Sequence, residues 1–90
     1  MPVQVQMKNR EPKWNALLEA YQLDFGGRAT MASCKNIELL PNSAADTLED
    51  VCFLMGKVEK NRFNIDFKAP FSAVQAFAQA LVIFSNSGAY

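Results

Sequence analysis

Between Phe71 and Phe84 the chain carries no charged residue. The polar residues there, Ser72, Gln75 and Gln79, recur at spacings of three and four, which puts them on one narrow stripe of a helix. Ala, Val, Leu, Ile and Phe occupy the other faces. A helix lying on a protein surface shows a broad polar face, so this one has to be enclosed around most of its circumference. It is too short and too polar to be a membrane span of about 20 apolar residues.

The pattern upstream has a period of two. Val3, Val5 and Met7 alternate with Gln4, Gln6 and Lys8, a first strand. The polar run Lys8–Lys13, with Pro12, ends it. Trp14 is a large side chain that needs somewhere to pack. Asn15–Ala20 reads as a helical turn or as an extended connection. Tyr21, Leu23 and Phe25 alternate in a second strand, and Gly26-Gly27 permits a tight turn at positive φ. Arg28–Leu40 alternates small and polar residues, a third strand bulged near Lys35-Asn36. Pro41–Asp46 is a loop by composition. Val51–Met55 is a continuous apolar run extended by Gly56-Lys57-Val58, which predicts a strand buried on both faces. Glu59-Lys60-Asn61 reads as a hairpin turn. Phe63, Ile65 and Phe67 then alternate strictly with Arg62, Asn64, Asp66 and Lys68. Ala69-Pro70 breaks that strand, Ser72 can cap the helix, and the Ser-Asn-Ser-Gly tail ends it.

The expected class is therefore α+β, one domain over residues 1–90. Antiparallel strands span about 2–68 and pack around a very hydrophobic helix at about 71–84. Five short strands cover one side of a helix but do not readily wrap it, a first indication that 90 residues are not the whole folding unit.

Composition removes whole classes of function. Lys and Arg number 9 against 9 Asp and Glu, a balance that argues against general nucleic-acid binding. Half the residues are hydrophobic, which argues against disorder. There is no His, the commonest general base and metal ligand. No Gly-x-Ser-x-Gly elbow and no phosphate loop occur. Asp24, Glu38, Glu59 and Asp66 are dispersed without paired-carboxylate spacing. No enzyme activity and no cofactor are expected. Cys34 and Cys52 make neither a disulfide framework nor a zinc site, and read as small buried thiols in a reducing compartment. The first residues lack a basic region followed by an apolar core, so no secretory signal is expected and the chain reads as intracellular.

Two groups of cations stand out. Lys57, Lys60, Arg62 and Lys68 fall on or beside one hairpin; Lys8, Arg10 and Lys13 form another group. Such clusters can contact anionic lipid headgroups. They also suit an ordinary solvated strand face, with Glu59 and Asp66 interspersed, and lysines at a sheet edge oppose aggregation. Gly26-Gly27-Arg28 could hold an anion, although a plain turn is its commoner meaning.

Two segments resemble one family. Phe25-Gly26-Gly27-Arg28-Ala29-Thr30-Met31-Ala32-Ser33-Cys34-Lys35-Asn36-Ile37-Glu38 is similar to the tubby signature, with Phe25, Gly27, Arg28, Thr30, Ala32, Ser33, Lys35 and Asn36 as the matching residues. The helix resembles the second signature through Ala76, Phe77 and Phe84. Lys8–Asn15, Gly56-Lys57-Val58, Arg62-Phe63, Asp66-Phe67 and Pro70 follow in the family's order. The resemblance runs from about Met7 to Phe84. The tail Ser85–Tyr90 departs from the family's charged ending.

This resemblance implies a closed antiparallel barrel around one central hydrophobic helix, of which the chain would be the last third. The remainder would come from a longer chain, a partner protein or further copies of this one; a rearranged fold with the helix on an open sheet is the alternative. The resemblance also implies a non-enzymatic adaptor that binds phosphoinositide membranes and acts in trafficking, in the cytoplasm, at the plasma membrane or at cilia. No nucleic-acid partner is expected. The family's main headgroup ligands lie in a part of the domain not represented here. Lys57, Lys60, Arg62 and Lys68 are the candidate lipid contacts. The signature residues Phe25, Gly27, Arg28, Thr30, Ala32, Ser33, Lys35, Asn36, Ala76, Phe77 and Phe84 are expected to be structural. The other expectation is an assembly protein whose fold a partner completes, without lipid binding.

Overall fold

The computed structural model describes residues 6–86. Its strands are β1 (Met7–Asn9), β2 (Lys13–Asn15), β3 (Ala20–Gln22), β4 (Ile37–Pro41), β5 (Phe53–Glu59) and β6 (Arg62–Phe67), followed by helix α1 (Ala73–Asn86). A short 3-10 turn, Leu48–Asp50, precedes β5. The result is α+β. Four strands form one antiparallel sheet in the order β1-β4-β5-β6, and β2 and β3 form a separate antiparallel hairpin. Val3 and Val5 of the first expected strand, and Ser87–Tyr90 of the tail, lie outside the described residues.

β5 is buried because both its faces are covered. Phe53 and Met55 point to one side and join Leu39, Ala76, Ala80 and Ile83 in a core between sheet and helix. Phe63, opposite Lys57 on β6, meets the Phe84 ring edge-on at 5.1 Å, and Phe53 meets Phe71 at 5.4 Å. Leu54 points to the other side, towards Phe25, Leu48 and Val51. A strand covered on both faces has no reason to alternate, which is why Val51–Met55 reads as a continuous apolar run. The β5–β6 turn closes through Asn61 at φ 63°, a left-handed conformation that Asn tolerates well.

α1 begins where the sequence places its cap. The Ser72 Oγ accepts from the Gln75 N–H at 3.2 Å, and the Gln75 Oε1 accepts from the Ser72 N–H at 2.9 Å. This reciprocal pair satisfies two backbone donors at the start of the helix. The helix runs on through Ser85 and Asn86 rather than ending near Phe84. Ala76, Ala80 and Ile83 face the sheet, whereas Val74, Phe77, Leu81, Val82 and Phe84 are exposed. Within the described residues the helix is covered on one side only.

Four expectations need correction. Cys34, expected to be buried like Cys52, is exposed. Tyr21–Phe25 is not one strand: pairing stops at Gln22, and the chain then turns through Gly26 (φ 60°) and Gly27 (φ 78°). Asn15–Ala20 is neither a helical turn nor a simple extended link; it is the closing turn of the β2–β3 hairpin. Residues 28–36 do not form a strand. β4 pairs with β5 only as far as Ile37 opposite Met55, so the Lys57 peptide groups lack a strand partner on that side. The loop satisfies them instead. Thr30 and Met31 both donate to the Lys57 carbonyl at 2.9 and 3.0 Å, and the Lys57 N–H donates to the Asn36 Oδ1 at 2.7 Å. An unpaired buried peptide group would be costly, and a loop carrying a side-chain amide removes that cost without a ladder.

Candidate functional site

The signature segment is a loop fastened across the β5–β6 hairpin. Gly27, at positive φ with open space around its α-carbon, sends the chain over the sheet. Ala29 then crosses at Gly56, where a Cβ on residue 56 would stand 2.7 Å from the Ala29 Cβ and 2.7 Å from the Arg28 carbonyl oxygen. Only glycine leaves room for that crossing. The small Ala29 reflects this close approach rather than one face of a strand.

Each polar residue of the segment has a specific contact. Arg28 donates from Nε to Asp66 Oδ2 at 2.7 Å and from Nη2 to Oδ1 at 3.0 Å, a two-point grip. Those hydrogen bonds raise the Arg28 pKa above its ordinary value. The Asn64 amide donates to the Arg28 carbonyl at 3.0 Å. The Thr30 hydroxyl donates to the Val58 carbonyl at 3.1 Å. The Ser33 Oγ accepts from the Lys35 N–H at 3.1 Å, and the Asn36 amide donates to the Met31 carbonyl at 2.8 Å. Lys35 is buried, its Nζ 5.3 Å from the centre of the Phe84 ring, within cation–π range. Ala32, Ser33 and Cys34 line a shallow depression with Lys57. Phe25 sits under the loop beside Leu48 and Leu54.

The four candidate lipid contacts are not gathered on one face. Lys57 lies on the helix-facing side of the sheet, in register with Phe63. Lys60 is exposed in the hairpin turn. Arg62, exposed, pairs loosely with Glu59 at 3.7 Å. Lys68 follows the far end of β6 and donates to the Glu49 carbonyl, about 20 Å along the strand from Arg62. Only Lys60 and Arg62 are close together, at the turn of the hairpin. Phe77 is exposed, Phe84 packs on Phe63, and Ala76 is in the core.

Sequence spacing does not reveal a second ionic cluster. Arg10 Nη1 lies 3.4 and 3.5 Å from the two Glu38 oxygens and donates to the Asp24 carbonyl at 2.8 Å, while Arg10 Nε lies 3.3 Å from Asp46 Oδ1. Glu38 is fully buried. Burial pushes its pKa up to about 7; Arg10 opposes this, and Asp24 and Asp46 add to it. Arg10 loses the contest because its contacts to Glu38 are long for a charge-assisted bond and its charge is shared with Asp46. The only hint in the sequence is an arginine in an otherwise solvated polar run; nothing in it connects residues 10, 24, 38 and 46. Among the described residues no group of His, Cys, Asp and Glu is placed to hold a metal ion, and no helix is long and apolar enough to cross a membrane.

Comparison with known proteins gives the family. The Tub family model matches residues 2–86. Tubby-related protein 4 of Mus musculus is 45% identical over 76 residues, which cover 83% of this chain and 4% of that protein. Tubby-like F-box protein 11 of Oryza sativa subsp. japonica is 39% identical over 84 residues, 89% of this chain and 21% of that protein. Tubby protein homolog 1 of Caenorhabditis briggsae is 40% identical over 79 residues, 87% of this chain and 18% of that protein. The chain thus spans between 4% and 21% of the length of these relatives. Nothing in the arrangement points to catalysis, and the chain belongs to the Tub family.

Proposed function

We propose that this chain is the C-terminal part of a tubby-type adaptor module that associates with phosphoinositide membranes and serves protein trafficking in the cytoplasm, at the plasma membrane or at the cilium. Its helix is then the centre of a closed barrel whose other strands come from the rest of a tubby-like domain. The supporting observation is the family match over residues 2–86. Lys60 and Arg62, exposed together at the turn of the β5–β6 hairpin, are the contacts best placed for headgroups. Lys57 and Lys68 contribute from other faces.

Vesicle sedimentation tests this reading. Vesicles containing phosphatidylinositol 4,5-bisphosphate are expected to recruit the chain, phosphatidylcholine alone to do so less, and salt to weaken recruitment. Lys60→Ala with Arg62→Ala should reduce it several-fold. Equal recruitment by both vesicle types would overturn headgroup recognition.

A second reading rests on α1. Val74 is 79% and Phe77 65% exposed, an apolar face too large to leave in water. In this reading the chain is an assembly protein whose fold is completed by a partner chain, without lipid binding. Light scattering behind a sizing column separates the two. A defined oligomer that ignores vesicles favours assembly, and a vesicle-binding monomer favours the adaptor.

A further inference from the structure

The β2–β3 hairpin is set apart from the four-stranded sheet and carries large apolar side chains into solvent. Leu17 is 96% exposed and Leu18 61% exposed, both in the turn. Trp14 and Tyr21 face each other across the strands, their ring centres 5.2 Å apart in an edge-on pair, and both are exposed. Trp14 therefore does not find the core that a side chain of its size would ordinarily seek. We propose that this hairpin is an interfacial anchor: Leu17 and Leu18 enter the acyl boundary of a lipid surface, while Trp14 and Tyr21 lie at headgroup level. The inference rests on the membrane reading above and names the element that would enter the bilayer.

Three features favour a lipid surface over a protein groove. First, the turn is already satisfied internally. The Asn15 Oδ1 accepts from the Leu17 N–H at 3.0 Å and the Leu18 N–H at 3.2 Å, and the Asn15 amide donates to the Gln22 Oε1 at 2.7 Å. A backbone entering hydrocarbon needs its polar groups paired from within, and this tip has two of its donors paired by its own side chain. Second, the Trp14–Tyr21 pair sits one strand position behind the Asn15–Ala20 pair that closes the turn carrying Leu17 and Leu18. Amphipathic rings favour the headgroup level, and interfacial elements bury their apolar face about 5–10 Å deep. Third, charge is sparse. Lys13 at the base, 3.9 Å from Asp46 Oδ2 and with its side chain 69% exposed, keeps a cation near headgroup level. Glu19 is the only acidic residue between Lys13 and Gln22.

Trp14 is the sole tryptophan of the chain, so its fluorescence reports on this hairpin alone. The chain is mixed with vesicles of phosphatidylcholine, phosphatidylserine and phosphatidylinositol 4,5-bisphosphate, with and without brominated acyl chains. The expected result is a blue shift and quenching by the brominated chains. Leu17→Asp with Leu18→Asp should abolish the quenching and weaken partitioning by roughly tenfold or more. These side chains are exposed, so an unchanged far-ultraviolet circular dichroism spectrum is expected. Glu19→Gln should strengthen recruitment. Recruitment without quenching, unaffected by the leucine substitutions, overturns the anchor and leaves phosphoinositide association standing. Quenching that is equal with and without phosphoinositide supports the anchor and overturns headgroup recognition. A blue shift that rises with protein concentration in the absence of vesicles assigns the hairpin to contact between copies and overturns the anchor.

Discussion

Arg28 holds Asp66 through two hydrogen bonds, at 2.7 and 3.0 Å, across 38 residues of chain. One partner is in the signature loop and the other on β6, so the pair fixes the loop on the hairpin from its solvent side. Both side chains are about half exposed, and solvent screening keeps such a pair weak. Its geometry matters more than its charge. Arg28→Lys preserves the charge but not the planar fork, so a slightly lower melting temperature is expected, with extra proteolysis within residues 25–36. A double-mutant cycle with Asp66→Asn measures the coupling. Strictly additive effects would show that the grip does not hold the loop.

Gly56 gives a sharper test of the same crossing. Any Cβ there lies 2.7 Å from both the Ala29 Cβ and a backbone oxygen. Backbone cannot swing aside as a side-chain tip can, so the loop must lift. Gly56→Ala should cost about 1–3 kcal/mol, seen as a lower denaturation midpoint. Ala29→Gly in the same chain should recover part of it.

Much of this architecture is legible from residues 51–84. Phe63, Ile65 and Phe67 alternate along β6, where Phe63 meets Phe84 of α1 while Ile65 and Phe67 stay exposed, and Ser72 announces the helix cap. The signature loop is harder to read. Thr30, Ala32 and Cys34 mimic strand alternation, but the stretch is a loop: Ala29 crosses at Gly56, and Thr30 and Met31 bond to the Lys57 and Val58 carbonyls. Period alone does not separate these cases. The Arg10–Glu38–Asp46 cluster is invisible for another reason: its members are brought together by strand pairing between β1 and β4 and by loops, not by spacing. The four hairpin cations show the converse. Neighbours in sequence, they are parted because Lys57 is in register with Phe63 on the helix side, Lys60 sits in the turn, and Lys68 follows the far end of β6, about 20 Å from Arg62.

Glu38 should make stability depend on pH near neutrality. Its carboxyl titrates at about 7 in the fold against an ordinary value of 4.5, chiefly through burial. The folded state therefore keeps a proton that the unfolded chain has already released. Its contribution is fully present below about 4.5 and is lost as pH rises through about 7. Each pH unit in that window costs at most about 1.4 kcal/mol. Urea midpoints should fall between pH of about 5 and about 8, and Glu38→Gln should flatten the slope. An unchanged slope in the Gln variant would assign it to other groups.

The cap at Ser72 sets how firmly α1 is anchored to its first turn. Ser72 and Gln75 satisfy each other's backbone donors, while the Ala76 N–H bonds to the Ser72 carbonyl at 2.9 Å. Ser72→Ala removes only the hydroxyl acceptor, so the Gln75 N–H loses its partner and the Ala76 bond remains. The expected cost is about 1 kcal/mol, or a fall of about 4–8 °C in melting temperature for a domain of this size. Hydrogen exchange should quicken at Gln75 first and at Ala80 little. Ser72→Asp should restore stability, because a carboxylate accepts the same bond and its charge favours the helix N-terminus. A Ser72→Ala variant as stable as the parent, with unchanged exchange at Gln75, would mean that packing of Ala76 and Phe71 on the sheet holds the first turn without its cap.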